Sequence, residues 1–299
     1  MANATATAQA SAKAKAKAKK NSEFVRVMKQ MSKNKLAMIG LAIFIVEIVL
    51  AILAPHISPY SYTKMDMTAC FATPSATHFF GCDDMGRDIF SRVLYGARYS
   101  ISIGILAVLF SVVIGCAIGA VAGYFGGQVD NLIMRLLDVI QAIPGMLMMI
   151  VISAVLGPGY LNTIIAMSFG SIPGMARMLR AQMLKERTNE YIEAATSINC
   201  STFRIIFHHL IPNCLSPIIV QATMGVGQTI TLAAGLSFIG LGVQPPIPEW
   251  GAMLSASRQF MRQAPHLVVF PGLAIAVTVL ALNLMGDGLR DALDPKLKN

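Results

Sequence analysis

Few side chains in this sequence could do chemistry, and most stand where chemistry would be hard to run. Asp83, Asp84 and Asp88 form a carboxylate cluster of a kind that can hold a cation, but Arg87 and Arg92 lie among them. Pairing inside the segment, near a membrane surface, is therefore expected ahead of an ion site. Glu47 falls in a long apolar run, where a charge is costly and is by default a functional suspect; its plainer role is a protonated or partner-paired residue. Gly235 and Ser237 in GLSFIG offer a hydroxyl, yet no His or Asp lies in another apolar segment to activate it. His78, His208, His209 and His266 share no helical face with a carboxylate, and the five cysteines show no metal-binding spacing, so no metal site is expected. Cys116, Cys200 and Cys214 read as small buried hydrophobes. Cys70 and Cys82 share one polar loop; a disulfide between them stays open if that loop faces an oxidising compartment. No Gly-rich phosphate loop of the Walker type is present, so the chain cannot itself hydrolyse ATP, and no catalytic residues are assigned.

The elements that must position these residues are set by lipid. The chain is 55% hydrophobic and only 13% charged, with a mean hydropathy of +0.61. Soluble domains carry about 25% charged residues, so the polar cover for a soluble core is missing. The net charge of +9 might suggest nucleic acid, but residues 1–35 hold nine Lys and Arg against Glu23 alone. The basicity belongs to a tail and not to a surface that could track phosphates, which excludes a nucleic-acid partner. The tail reads as a solvated, disordered arm able to lie near anionic lipid. It is not a cleavable signal peptide, because the apolar run after it has spanning length.

An α-helix rises about 1.5 Å per residue, so roughly 20 apolar residues cross the hydrocarbon core. Six segments qualify or nearly do: Leu36–Ala54, Ser100–Ala122, Val139–Leu156, Leu161 to about Met178, Pro217–Gly242 and Leu267–Met285. The fourth is the weakest, interrupted by Gly170, Ser171, Pro173 and Gly174, which places it inside the bundle, where neighbours can satisfy freed backbone groups. Gly104, Gly115, Gly119 and Gly123 allow close helix contact along the second. With the tail inside, eighteen Lys and Arg fall in inner segments and six in outer loops. That bias puts both termini in the cytoplasm of a multi-pass protein of the cell membrane. The fold expected is an all-α bundle of about six transmembrane helices.

The inner loop at 179–216 is the informative one. NEYIEAATSI, from Asn189 to Ile198, places Tyr191, Ala194, Ala195 and Ile198 at helical spacing on one side. Asn189 can cap this helix, and Asn199 can end it in a left-handed conformation. Ser201 can cap a second helix with Phe203, Ile206, Phe207 and Leu210 as its stripe, closed by Pro212. Two amphipathic helices of this kind could simply pack on the bundle or lie on lipid. The pair Ala194 and Ala195 argues otherwise, since small residues let another surface approach closely.

EAATSIN followed by RIIFHHLIPN resembles the EAA motif of ABC importer permeases, with Glu193, Ala194 and Ala195 at its start and Ile211, Pro212 and Asn213 at its end. Asn199 stands where that family has glycine; both residues tolerate the left-handed turn. HFFGCDDMGRDIFSRVLYGARYSISIG from His78, GYFGG from Gly123, SFIGLGVQPPIPEWGAML from Ser237 and LNLMGDGLRDALDPKL near the C terminus are similar to the second (C-type) permease of dipeptide, oligopeptide and nickel systems.

The resemblance implies an ABC importer type I permease-like bundle. Tyr191, Glu193, Ala194, Ala195, Ile198, Asn199 and Pro212 would serve coupling to the ATPase. Asp84, Arg87, Asp88, Arg92 and Trp250, in the outer loops Pro55–Tyr99 and Val243–His266, would receive an extracytoplasmic substrate-binding protein. Trp250 by itself reads as an interfacial anchor. Cys82 replaces a common Thr of the family, which suits the open disulfide. The partners implied are a second homologous permease and two ATP-binding subunits; ATP and Mg belong to those subunits, and no cofactor to this chain. Peptides are the expected cargo and nickel the next, while an ion-gradient-driven secondary transporter is the alternative mechanism. The organisation expected is a tail at 1–35, a first helix and outer loop at 36–99, a permease core at 100–286 and a cytoplasmic C-terminal tail at 287–299.

Overall fold

A computed structural model describes residues 25–293, and among them every regular element is helical. After helical turns at 25–31 come α1 (Lys35–Ile57), α2 (Ile89–Phe125), α3 (Gly127–Gln141), α4 (Gly145–Leu156) and α5 (Tyr160–Glu186). They are followed by α6 (Glu190–Ser197), α7 (Thr202–Phe238), α8 (Trp250–Ser257) and α9 (His266–Leu293). Of the tails expected at 1–35 and 287–299, residues 1–24 and 294–299 lie outside the described residues, whereas 25–31 form helical turns and 287–293 continue α9, with Met31 packed near Gly288.

Helix starts follow their capping residues. The Asn34 side chain accepts the Leu36 and Ala37 N–H groups at 3.1 and 3.2 Å and opens α1. Asp88 accepts the Ser91 N–H at 2.8 Å and opens α2. α1 then shows lipid-compatible residues all around, with Ile39, Val46, Val49 and Ile52 exposed, as a helix flanked by acyl chains can.

Helices α1, α2, α7 and α9 are each long and apolar enough to cross a bilayer. The third expected span is not straight. Its helix starts as early as Gly127, breaks after Gln141 and resumes at Gly145, with an 81° bend that leaves α3 and α4 as one broken span or a re-entrant pair. Pro144 explains the break: its ring drives Ile143 out of the helical region, and it has no N–H to donate. The fourth expected span runs unbroken through Pro173 as the 27 residues of α5, about 40 Å long. Its composition is less apolar because its last turns carry Arg177, Arg180, Lys185 and Glu186.

α5 packs on α2 along one face. A Cβ at Gly115 would come within 2.7 Å of the Met175 Cβ, and one at Gly119 would collide with the Ala176 carbonyl oxygen. The two backbones therefore touch, which only glycine permits. The seam continues to Gly123 against Met183. Around the lower part of this seam lies a core of Ala120, Leu179, Met183, Ile192, Ala195, Ile205 and Leu210. A second core around Ile89, Ile101, Trp250, Met253 and Leu267 fills the opposite end of the bundle.

The second amphipathic helix of the inner loop does not stop at Pro212. It continues into the fifth span, so that α7 is one 37-residue helix. Residues Ile205–Leu210 form a π-turn, in which the Ile211 N–H reaches the Ile206 carbonyl. That wider winding carries the chain past Pro212, which has no N–H to offer an α-helical bond.

Candidate coupling surface

α6 is held by its ends and by one face. The Glu186 carboxylate, at the end of α5, accepts the Asn189 amide at 2.8 Å and the Tyr191 hydroxyl at 2.9 Å. Asn213 of α7 donates to the Tyr191 oxygen at 3.1 Å and to the His209 carbonyl at 2.7 Å. Tyr191 thus bridges α5, α6 and α7. Burial, then the adjacent Glu186, pushes its phenol above the usual tyrosine value. Asn189 begins the helix as expected, although its side chain binds Glu186 and not the first-turn N–H groups.

The face read as one in the sequence divides in two. Ile192 and Ala195 point into the bundle core, at 4% and 6% exposure, whereas Tyr191, Glu193, Ala194 and Ile198 point away from it. The periodicity gives the reason: at 100° per residue, positions 191, 194 and 198 share a face, while 192 and 195 share the next. Ala195 therefore seats α6 on the bundle, and Ala194 with Glu193 is what an incoming surface would meet. No ion pair of Glu193 occurs among the described residues.

Asn199 ends the helix at φ +57°, and the Cys200 N–H closes back on the Ala195 carbonyl at 3.1 Å. Ser201 then caps α7 through the Arg204 N–H. The expected stripe on this second helix also divides. Ile206 and Leu210 are buried, but Phe203 and Phe207 turn outward with their ring centroids 4.3 Å apart. Ile198, at the end of α6, is likewise exposed, at 76%. Pro212 lies in the first α-helical turn after the π-turn.

At the other end of the bundle the candidate docking residues are mostly enclosed. Arg87 Nε meets Asp83 at 2.7 Å, Arg92 Nε meets the same oxygen at 3.6 Å, and a second Arg87 nitrogen lies 3.7 Å from Asp84. His78 Nδ1 is 2.9 Å from Asp88. Arg87, Asp88, Arg92 and Trp250 are all at least 95% buried. Only Asp84 among the five is partly exposed. Nor is Trp250 an interfacial anchor: its Nε1–H donates to the Val93 carbonyl at 3.0 Å. The four buried residues hold the outer loop on α2, because paired charges and hydrogen-bonded indoles can be buried where lone ones cannot. The large hydrophobic side chains exposed in that loop are Met65, Met67, Phe79 and Met85, among exposed polar residues such as Lys64, Asp66 and Thr68.

Cys70 and Cys82 are free thiols, so the bridge left open by the sequence is not formed. Burial, followed by Asp88 and Asp83, pushes the Cys82 thiol up to about 11. No group of His, Cys, Asp and Glu able to hold a metal occurs among the described residues. Glu47 is paired on one side, where the Thr278 hydroxyl donates to Oε1 at 3.0 Å, and its Oε2 is buried without a partner. Ser237 accepts the Val243 N–H at 3.2 Å, a structural bond and not an activated nucleophile.

Residues 115–299 match the model of the binding-protein-dependent transport system inner membrane component, and residues 22–74 match the N-terminal TM domain of oligopeptide transport permease C. The chain belongs to the first of these families, and its N-terminal part carries the second domain.

Its relatives agree over nearly the whole length. It is 48% identical over 278 residues, 93% of this chain and 91% of the other, to a dipeptide transport system permease protein DppC of Alkalihalophilus pseudofirmus. It is equally 48% identical, over 90% of this chain and 89% of the other, to a glutathione transport system permease protein GsiD of Escherichia coli. Among solved structures, the inward-facing MetNI methionine ABC transporter aligns with 68% of this chain and 96% of its own, at a TM-score of 0.56 and 18% identity, which shows a shared fold.

Proposed function

We propose that this protein is a membrane-spanning subunit of an ATP-driven importer for short peptides, coupled to a separate motor through the outward face of α6. The observation that carries the reading is the split of α6. Ile192 and Ala195 fix it to the α5 and α7 core, while Glu193, Ala194 and Ile198 stand free at the bundle's end. A helix anchored on one face and bare on the other transmits a push into the bundle, and a small residue at its centre lets the pushing surface come close. Two ATP-binding subunits and a second permease of the same family would complete the assembly, with ATP and Mg held by the former. Six helical segments then line or support a path that opens alternately to either side. The α6 end faces the cytoplasm, because the residues flanking it include Arg177, Arg180, Lys185, Arg187 and Arg204.

Dipeptides are the cargo proposed first, on the strength of 48% identity to a dipeptide permease. Glutathione is supported by an equal identity; being a tripeptide, it belongs to the same chemical class. A binding protein would dock on the exposed part of the outer loops, at Asp84 with Met65, Met67, Phe79 and Met85.

Glu193→Lys and Ala194→Trp test the coupling. In the assembled complex, each is expected to lower ATP-dependent uptake by roughly tenfold or more, through charge reversal or steric exclusion at the contact. Membrane insertion should be unaffected, since neither side chain enters the core. Uptake at the wild-type rate in both variants would overturn the assignment.

A further inference from the structure

Glu249 takes no part in the surfaces described above, yet it is among the most enclosed charged side chains of the molecule, at 1% exposure. It opens α8 by accepting the Gly251 N–H at 2.9 Å and the Ala252 N–H at 2.8 Å. A cap needs no more than this, and a surface cap would do it in water. Glu249 does it inside the bundle and accepts a third bond, from the Ser100 hydroxyl of α2, at 3.2 Å. The same Ser100 oxygen accepts the Trp250 N–H at 3.1 Å. Trp250 in turn donates to Val93, about two turns earlier on α2, and lies so close to that helix that a Cβ at Gly96 would stand 2.7 Å from its ring. The loop preceding it is fixed as well: the Val243 N–H binds Ser237 of α7, and the Gly159 N–H, ahead of α5, binds the Gly242 carbonyl at 3.0 Å.

α7 ends at Phe238, just before this loop, and begins at Thr202, just after α6. Its 37 residues make a rod about 55 Å long. One end of that rod is gripped by the coupling helix and the other runs into a segment pinned on α2.

We propose that Glu249 is a positioning residue for transport, joining α8 and the outer loop to α2 and α7 so that the outer mouth moves as one body with the helix driven from α6. The proposal rests on the coupling role given to α6. A free loop at this place would absorb the motion; a pinned one passes it in either direction, so that a binding protein seated outside can be felt by the motor inside.

Ser100→Ala separates the pin from the cap, since Glu249 keeps both backbone bonds while its own tie to α2 is lost and the Trp250–Val93 bond remains. Glu249→Gln weakens both. Each variant is assembled with its partner permease and ATP-binding subunits in liposomes, and ATP hydrolysis is measured with and without the binding protein loaded with dialanine. A lost hydrogen bond to a carboxylate is expected to reduce the stimulation by the binding protein about tenfold, while hydrolysis without it continues. Wild-type stimulation in assembled Ser100→Ala complexes would overturn the proposal. So would failure of both variants to assemble, which would make Glu249 a folding residue only. Absence of stimulation in the wild-type complex would instead sink the coupling reading on which this one stands.

Discussion

Single residues in this protein are placed by which side of a short helix they fall on. The pair Ala194 and Ala195 looks uniform in sequence, yet one faces out and the other is buried with Ile192. A bulky residue at 195 would therefore damage packing, and only 194 reports on contact with a partner. The outer-loop thiols give a test at the same scale. Raising a thiol's pKa depletes the reactive thiolate at a given pH. With Cys82 held at about 11 and fully buried, its alkylation at pH 8 should run at least about 10²-fold slower than that of an unperturbed, exposed thiol, and should accelerate as pH rises toward 11. Mass-spectrometric rates on the folded protein would check this, and a rate at pH 8 equal to that of a free thiol would contradict it. The sequence was enough to place Tyr191 and Glu193 on a short helix and to expect the left-handed Asn199 after it. It could not reveal that Trp250 and Arg92 are enclosed, because what encloses them lies about 150 residues away for Trp250, where Val93 and Ser100 meet it. Glu249 was legible in part: a carboxylate directly before Trp-Gly-Ala and after a run of prolines is a helix-start pattern, but burial is not.

Helices were easier to find than their continuity. Hydropathy located a helix at each of the six segments, but only α1, α2, α7 and α9 are long and apolar enough to cross a bilayer singly, with the bent α3–α4 pair a fifth at most and α5 not among them. Pro144, which breaks the third segment, and Pro173, which does not break the fifth helix, look alike in a hydropathy scan. What separates them is enclosure: Ile172 and Pro173 are buried against α2 and its glycines, whereas around Ile143 and Pro144 the chain is exposed. Neighbouring helices can compensate a proline only where they touch it. The α2–α5 seam makes this testable. Gly119→Val would force backbones apart at the Ala176 carbonyl and should cost about 1–3 kcal/mol of stability by overpacking. Thermal unfolding of the purified complex in detergent should show a lowered Tm for this variant and an unchanged one for Val113→Ala, which lies on the exposed face of the same helix. Equal Tm values would mean that the seam does not hold the bundle.

Across the whole molecule, α6 and its supporting core lie at one end of the bundle, and the core around Trp250 and the outer loop lies at the other. Gly288 packs on Ala37, Gly123 on Met183, and the Tyr124 hydroxyl on Thr202. These contacts bring the end of α9, the start of α1 and both flanks of α6 to one side. Of the basic residues counted as inner, Lys33, Lys35, Arg180, Arg187, Arg204 and Arg290 stand in or beside these segments. Lys64, Arg87, Arg92, Arg98, Arg258 and Arg262 belong to the other side. The central claim, that α6 is a cytoplasmic handle gripped by a separate ATP-binding subunit, is tested most directly by labelling. Ala194→Cys, in a chain whose five native cysteines are replaced by serine, is exposed to a membrane-impermeant maleimide in right-side-out and inside-out vesicles, with and without bound ATP-binding subunits. The account predicts labelling in inside-out vesicles alone, and its suppression when those subunits are bound. Labelling from the outer face, or equal labelling with the subunits in place, would contradict it.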